Sequence, residues 1–364
     1  MHVARWILTA IVVLLIVALA WVFREKRRLA AAVAAWASPL APECAGDLTA
    51  HVCAPLAAPL GPPPTWVSGA VTLPAAPAAD LAAALMYAVS LTAQTTTSTL
   101  GFVAPPAVGG VANPVKVAAG AVDAAPFALV WANANGDSPW VAVGFRGTAT
   151  AADLLADSHY GLASPTAAFG VRLADVVGGG QPLPVLITPQ LPGGVEPTVH
   201  SGFASTYADL RGALMRAVAA APPTAPVFIA GHSLGAALAF LAAADVATVY
   251  PGRAVRVVGV APPRVGNSAF TIWLATRPGL AAVSLINLAD LVPSLPWSYM
   301  PVLGGAPVAF AHVEPVVVGS AIWPDAVGCH SVPAYAASLA GALVLSPAVL
   351  QAPEWLPGSR SGTI

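Results

Sequence analysis

The chain has 364 residues, enough for one large α/β domain or two smaller ones. Fifteen lysines and arginines against 16 aspartates and glutamates leave a formal net charge of −1, which excludes the basic surface a nucleic-acid partner would need. Only 9% of residues are charged, and the three cysteines (Cys44, Cys53, Cys329) form no C-x-x-C pair and join no histidine cluster, so neither a metal nor another cofactor is implied.

The first element is the uncharged run Trp6–Phe23, 18 residues long. As a helix rising 1.5 Å per residue it reaches about 27 Å, close to the thickness of the hydrocarbon layer. Trp6 and Trp21 stand near its ends, where interfacial aromatics belong. Arg24, Lys26, Arg27 and Arg28 follow it, opposed only by Glu25, whereas Arg5 alone precedes it. A cleavable signal peptide carries its positive charge before the apolar run. The expectation is therefore an uncleaved transmembrane anchor over residues 1–28. The charge bias places the remainder on the cytoplasmic side, with secretion after cleavage as the alternative. There Cys44 and Cys53 would stay reduced, while in an oxidising compartment they could close a small loop.

Residues 29–80 are rich in alanine and proline, including Gly61-Pro-Pro-Pro64, and read as a linker with some helix. Asp80 is placed to cap a helix running to about Leu91, and residues 104–125 read as loop. Phe127–Ala132 and Trp140–Phe145 flank Asn133-Ala-Asn-Gly-Asp137, a hairpin signal. Strands and helices then alternate. Val185–Thr188 reads as a strand, Ala204–Ala219 a helix, Val227–Ala230 a strand, Ala236–Val249 a helix, Val255–Val260 a strand, Ser268–Ala275 a helix and Val283–Asn287 a strand. Val308–Val318 reads as an edge strand and Tyr335–Leu345 as a final helix. The alternation predicts an α/β fold over residues 81–350, a mostly parallel central sheet with helices on both faces, followed by a tail, 351–364. The apolar stretch 226–244 is a buried strand with its packing helix rather than a second span, because Gly231 and Gly235 interrupt it.

Gly231-His232-Ser233-Leu234-Gly235 carries the chemistry. It reads as the G-x-S-x-G turn between a strand and a helix, which lifts a serine hydroxyl above the sheet. With 32 glycines in the chain the five-residue pattern alone is weak; the four apolar residues before it and the Ala/Leu helix after it are what make it specific. A serine needs a histidine base and an acid to orient that base. Downstream acids are Asp245, Asp290, Glu314, Asp325 and Glu354. Asp290 follows the strand ending at Asn287, at the edge where α/β active sites assemble, whereas Asp245 lies on the helix after the elbow and points away from that edge. Of the two downstream histidines, His330 stands in a turn before the last helix. His312 falls inside the expected edge strand and reads as structural, as does His232, which is expected to face away from the nucleophile. The strand Val141–Phe145 leads into Arg146-Gly147-Thr148, so Thr148 can supply an oxyanion donor alongside the Leu234 N–H.

These residues sit in a set of motifs: Gly-Phe-Arg-Gly-Thr (144–148), Val-His-Ser-Gly-Phe (199–203), Gly-His-Ser-Leu-Gly (231–235), Pro-Arg-Val-Gly-Asn (263–267), Asp-Leu-Val-Pro (290–293) and His-x-x-x-x-Tyr (330–335). In this order they resemble the lipase class 3 family of α/β-hydrolases over roughly Phe127 to Leu345. The resemblance implies Ser233 as nucleophile, Asp290 as orienting acid, His330 as base, Thr148 and Leu234 as oxyanion donors, Arg146 and Arg264 as structural arginines, and His312 as a non-catalytic histidine. It departs from the family after Arg-Gly-Thr, where an Asp-Trp pair is usual and Asp153-Leu154 stands here, within residues 149–160 where related lipases carry a lid helix. The implied function is a membrane-anchored serine lipase acting on acylglycerols or phospholipids. The alternatives are an esterase for short-chain esters and a non-catalytic tethered binding protein. The lipid ester and the bilayer are the partners expected.

Overall fold

In the β-strand Val227–His232 every residue is buried, and the same holds for Leu280–Asn287. Strands apolar on both faces need cover on both, which puts them in the middle of a parallel sheet rather than at a half-wet edge. The computed structural model describes residues 59–64, 79–100, 104–118, 126–135, 137–148, 169–178, 196–287, 290–296, 299–300, 308–313, 315–318, 328–340 and 344–345. The run Trp6–Phe23, Cys44, Cys53, the strand expected at Val185–Thr188, residues 149–160, Asp325 and the tail lie outside them. Among the described residues, no helix is long and apolar enough to cross a membrane.

Twelve strands and six helices are used below: β1 (Val115–Val117), β2 (Ala128–Asn133), β3 (Trp140–Phe145), β4 (Phe169–Arg172), β5 (Thr198–His200), β6 (Val227–His232), β7 (Val255–Val260), β8 (Leu280–Asn287), β9 (Tyr299–Met300), β10 (Val308–Ala309), β11 (Pro315–Val318) and β12 (Val344–Leu345); α1 (Ala79–Thr99), α2 (Leu173–Val176), α3 (Ser201–Val218), α4 (Leu234–Val249), α5 (Ser268–Thr276) and α6 (Val332–Ala340). The main sheet has eight strands in the order β1-β2-β3-β6-β7-β8-β11-β12. From β3 to β11 the neighbours run parallel; β1 and β2 on one side and β12 on the other are antiparallel additions. This is the mostly parallel sheet with helices on both faces that the alternation predicts.

Side chains alternate between the two faces of the sheet. Val227, Ile229, Val255 and Val257 pack with Phe203, Leu210 and Leu241 of α3 and α4, while Phe228, Ala230, Val258 and Val260 pack with Leu85, Leu91 and Tyr335 of α1 and α6. Helix α4 is buried from Leu234 to Thr248. A helix apolar all round and packed on every side gives the hydropathy of a membrane span inside the core of a folded domain. Its one carboxylate, Asp245, is fully buried and satisfied: it accepts from Tyr207 Oη (2.8 Å), Gly178 N (2.7 Å) and Arg211 Nη2 (3.0 Å). Asp245 thus ties α3 and α4 to the end of α2.

Several boundaries differ from the expectation. Residues 104–125 are not all loop, because Val115–Val117 pairs with β2 and extends the sheet. The helix near Asp80 runs on to Thr99, two turns past Leu91, and Gly144 leaves room for it: a Cβ there would strike Thr95 Oγ1. Part of the expected linker is seated on the domain, where Gly109 N donates to Leu60 O (2.8 Å) and Tyr87 Oη to Gly61 O (3.3 Å). Val308–Val318 is not one strand. Val308–Ala309 pairs with β9 in a separate two-stranded ladder, and only Pro315–Val318 joins the main sheet. The helix expected over Tyr335–Leu345 starts earlier, at Val332, and ends at Ala340, and Val344–Leu345 adds the edge strand β12.

Candidate active site

Strand β6 ends at His232 and helix α4 begins at Leu234, so Ser233 turns the chain through one residue. It does so at φ 56° and ψ −125°, a conformation costly for a residue with a side chain, held here by buried structure on both sides. The two glycines are sterically required. A Cβ on Gly231 would meet the carbonyl oxygen of Gly235, and a Cβ on Gly235 would meet the carbonyl oxygen of Arg146. The second contact also brings the elbow against the end of β3, and with it the loop 146–148.

Parallel strands bring their following loops to the same edge. The loop after β8 is anchored as Asp290 N donates to Asn287 O (3.0 Å) and Asp290 Oδ1 accepts from Val292 N (2.9 Å). Arg264 clamps it from the side: its N donates to Leu295 O (2.7 Å), and its Nη1 to Pro296 O (2.8 Å) and to Ser294 O. His312 Nε2 donates to Pro293 O (2.6 Å). The arginine and histidine that the resemblance implies as structural both hold this loop.

His330 closes a 3-10 turn, Gly328–His330, just before α6. Its Nδ1 lies 2.7 Å from Asp290 Oδ2 and its Nε2 2.9 Å from Ser233 Oγ. A carboxylate only accepts, so Nδ1 carries the proton and Nε2 of the neutral ring accepts from the serine hydroxyl. All three side chains are buried, with residue exposures of 6% for Ser233, 3% for Asp290 and 9% for His330. Thr148 is buried at the end of the loop after β3. Arg146 supports that loop: its Nε donates to Pro126 O and its Nη1 to Gly147 O, both at 2.8 Å, and the guanidinium lies 4.2 Å from the Phe127 ring centroid. Leu234 N–H opens α4, where the first amides have no carbonyl four residues back inside the helix.

Three further residues complete the arrangement. Tyr335 Oη donates to Asp290 Oδ2 (2.7 Å) and accepts from Asn287 N (3.0 Å), and Asn287 Nδ2 donates to Cys329 O (3.2 Å). Burial, and secondarily the Asp290 charge, push the Tyr335 phenol well above its ordinary pKa and keep it a donor. The sequence signal for it is the His-x-x-x-x-Tyr spacing, which by itself assigns the tyrosine no role. His232 does not face away from the site. Its Nε2 donates to the backbone carbonyl of His330 at 2.8 Å, which corrects the expectation. Among the described residues, no group of three or more His, Cys, Asp or Glu side chains could hold a metal ion.

The His312 clamp makes the loop sensitive to acid. Burial, and then the Arg264 charge, lower the His312 pKa to about 4 against the bond to Pro293, whereas in the unfolded chain it titrates near 6.5. Between these values the unfolded state binds more protons, so stability falls as pH drops from about 6.5 to 4. His312→Gln keeps a donor and removes the titration. Its melting temperature is expected to fall less across that window than that of the wild type, and equal falls would contradict the assignment.

Known proteins resemble part of this chain. Residues 142–300 match the family model described as Lipase (class 3). Phospholipase A(1) DAD1, chloroplastic, of Arabidopsis thaliana is 34% identical over 110 residues, 28% of this chain and 24% of that protein. A lipase of Rhizopus niveus is 33% identical over 104 residues, 27% of this chain and 26% of that protein. The chain thus spans about a quarter of the length of these relatives. Among solved structures, the Rhizomucor miehei lipase propeptide complex aligns over 74% of this chain and 84% of its own, with 19% identity and a TM-score of 0.45. The family match covers the elbow, the loop that carries Thr148 and the loop that carries Asp290, and it ends before His330.

Proposed function

We propose that the chain is a serine hydrolase of carboxylic esters, with lipid esters as substrates, and that its N-terminal run holds it at a membrane. The observation that carries the chemistry is the continuous hydrogen-bond chain from Ser233 Oγ through His330 to Asp290, at 2.9 and 2.7 Å, rooted on a positive-φ elbow. Ser233 Oγ attacks the acyl carbonyl as His330 Nε2 takes its proton, and Asp290 stabilises the imidazolium. The amides of Leu234 and Thr148, with the Thr148 hydroxyl, hold the oxyanion; one such donor is typically worth ~3 kcal/mol. Collapse expels the alcohol, protonated by His330, and leaves the acyl-serine. His330 then deprotonates a water that attacks this ester, releasing the acid and restoring Ser233.

A lipid ester is supported by the relatives named as lipase and phospholipase A1, and by the loop after Asp290, where Leu291 is 64% and Leu295 42% exposed. The membrane reading rests on Trp6–Phe23 and its basic flank, which also favour the cytoplasmic side. The test treats the full chain in lipid with a fluorophosphonate. An adduct mapped by mass spectrometry to Ser233, together with faster hydrolysis of long-chain esters above their aggregation point, is expected. A folded protein that forms no adduct overturns the hydrolase reading, and a rate indifferent to aggregation overturns the lipid substrate.

A further inference from the structure

His232 is the last residue of β6 and stands directly before the nucleophile. It is buried, and its ring lies against that of His330, with centroids 4.8 Å apart and planes tilted by 39°. Because a carbonyl oxygen can only accept, the 2.8 Å contact to His330 O requires a proton on Nε2 of His232. Burial, and then the neighbouring His330, keep His232 neutral by lowering its pKa well below the ordinary range. Two consecutive residues of the elbow therefore hold the same histidine at different points. Residue 232 holds its main chain, and residue 233 meets its Nε2.

Two further contacts on this turn come from the β8 side: Asp290 on Nδ1 and Asn287 on Cys329 O. They orient the imidazole relative to the acid, but they do not refer it to the serine. The His232 bond runs from the nucleophile's own strand to the backbone of the base. Resting on the hydrolase reading above, we propose that His232 is a positioning residue, which sets the distance between Ser233 and His330 by fastening the base turn to the elbow.

Misplacing a reacting group by 1 Å can cost on the order of 100-fold in rate. The test compares full-length His232→Phe, which keeps a ring and loses the donor, with His232→Gln, which keeps an N–H donor. Steady-state kinetics on a monomeric ester and the rate of fluorophosphonate labelling are measured beside melting temperature. The phenylalanine variant is expected to lose roughly 10- to 100-fold in kcat and in labelling rate with KM unchanged, and glutamine to recover most of both. A folded phenylalanine variant with wild-type kcat overturns the proposal. So does a loss shared equally by both variants and carried by KM, which would mark a packing role. Should the phenylalanine variant fail to fold, the 15N-histidine spectrum of the wild type still decides, since an Nδ1–H tautomer at His232 excludes the bond. A wild type inert to the probe overturns the hydrolase reading and this one with it; a reactive wild type matched by His232→Phe overturns only the positioning role.

Discussion

Replacing Ser233 by alanine is expected to lower kcat by roughly 10⁶-fold, the scale on which removing a triad nucleophile acts when the remaining groups have nothing to deliver. The loss falls on kcat rather than KM, because the hydroxyl forms its bond only on the path to the transition state. The fold should tolerate the change. Alanine keeps the Cβ that the elbow already accommodates at φ 56°, and the site loses one hydroxyl, which hydrogen-bonds His330 Nε2. The check is kcat on a chromogenic ester together with a thermal melt. A Ser233→Ala variant that melts like the wild type and retains more than about a thousandth of its kcat would place the nucleophile elsewhere.

Asp290→Asn is expected to cost roughly 10⁴-fold in kcat with little change in KM. Asp290 Oδ2 accepts from both His330 Nδ1 and Tyr335 Oη, and Oδ1 accepts from Val292 N. An amide has one oxygen to offer where the site directs three donors at two. If its nitrogen meets His330, Nδ1 must become the acceptor, which puts the proton on Nε2, where it blocks removal of the serine proton. If its nitrogen meets Val292 instead, two donors oppose each other in a buried pocket. The amide also carries no charge to balance the imidazolium. Single-turnover kinetics separate this from altered binding, and a kcat within tenfold of the wild type would remove Asp290 from the triad.

Both predictions rest on residues that the sequence singles out, yet for different reasons. Ser233 is legible because its signal is local: glycines at 231 and 235, an apolar strand before and a helix after, all within one turn of chain. Asp290 and His330 are marked only by their positions at strand and helix ends. The parallel sheet then delivers them to one edge, since β6, β7, β8 and β11 all point the same way. Asn287 ends an expected strand and Tyr335 opens an expected helix, yet neither position assigns the residue a role. Their roles come from a contact between the end of β8 and the first turns of α6, 48 residues apart.

What the sequence determined by itself is whatever short-range sterics and periodicity dictate. It marks the strand–elbow–helix, the hairpin ahead of it, the buried strands, and the acid and histidine able to serve the elbow. It also carries the run at residues 6–23, which composition and flanking charge define without any packing partner. Only the tertiary structure decided where side chains point and what meets across the sheet edge. His232 reads as a bystander because strand alternation says which face a residue takes, not what stands above the strand's end. The turn from residue 328 to 330 occupies that place, so a side chain adjacent to the nucleophile in sequence reaches the main chain of the base 98 residues away. Contacts of that separation depend on how β8, β11 and α6 pack around the end of β6, and no local pattern along the chain encodes them.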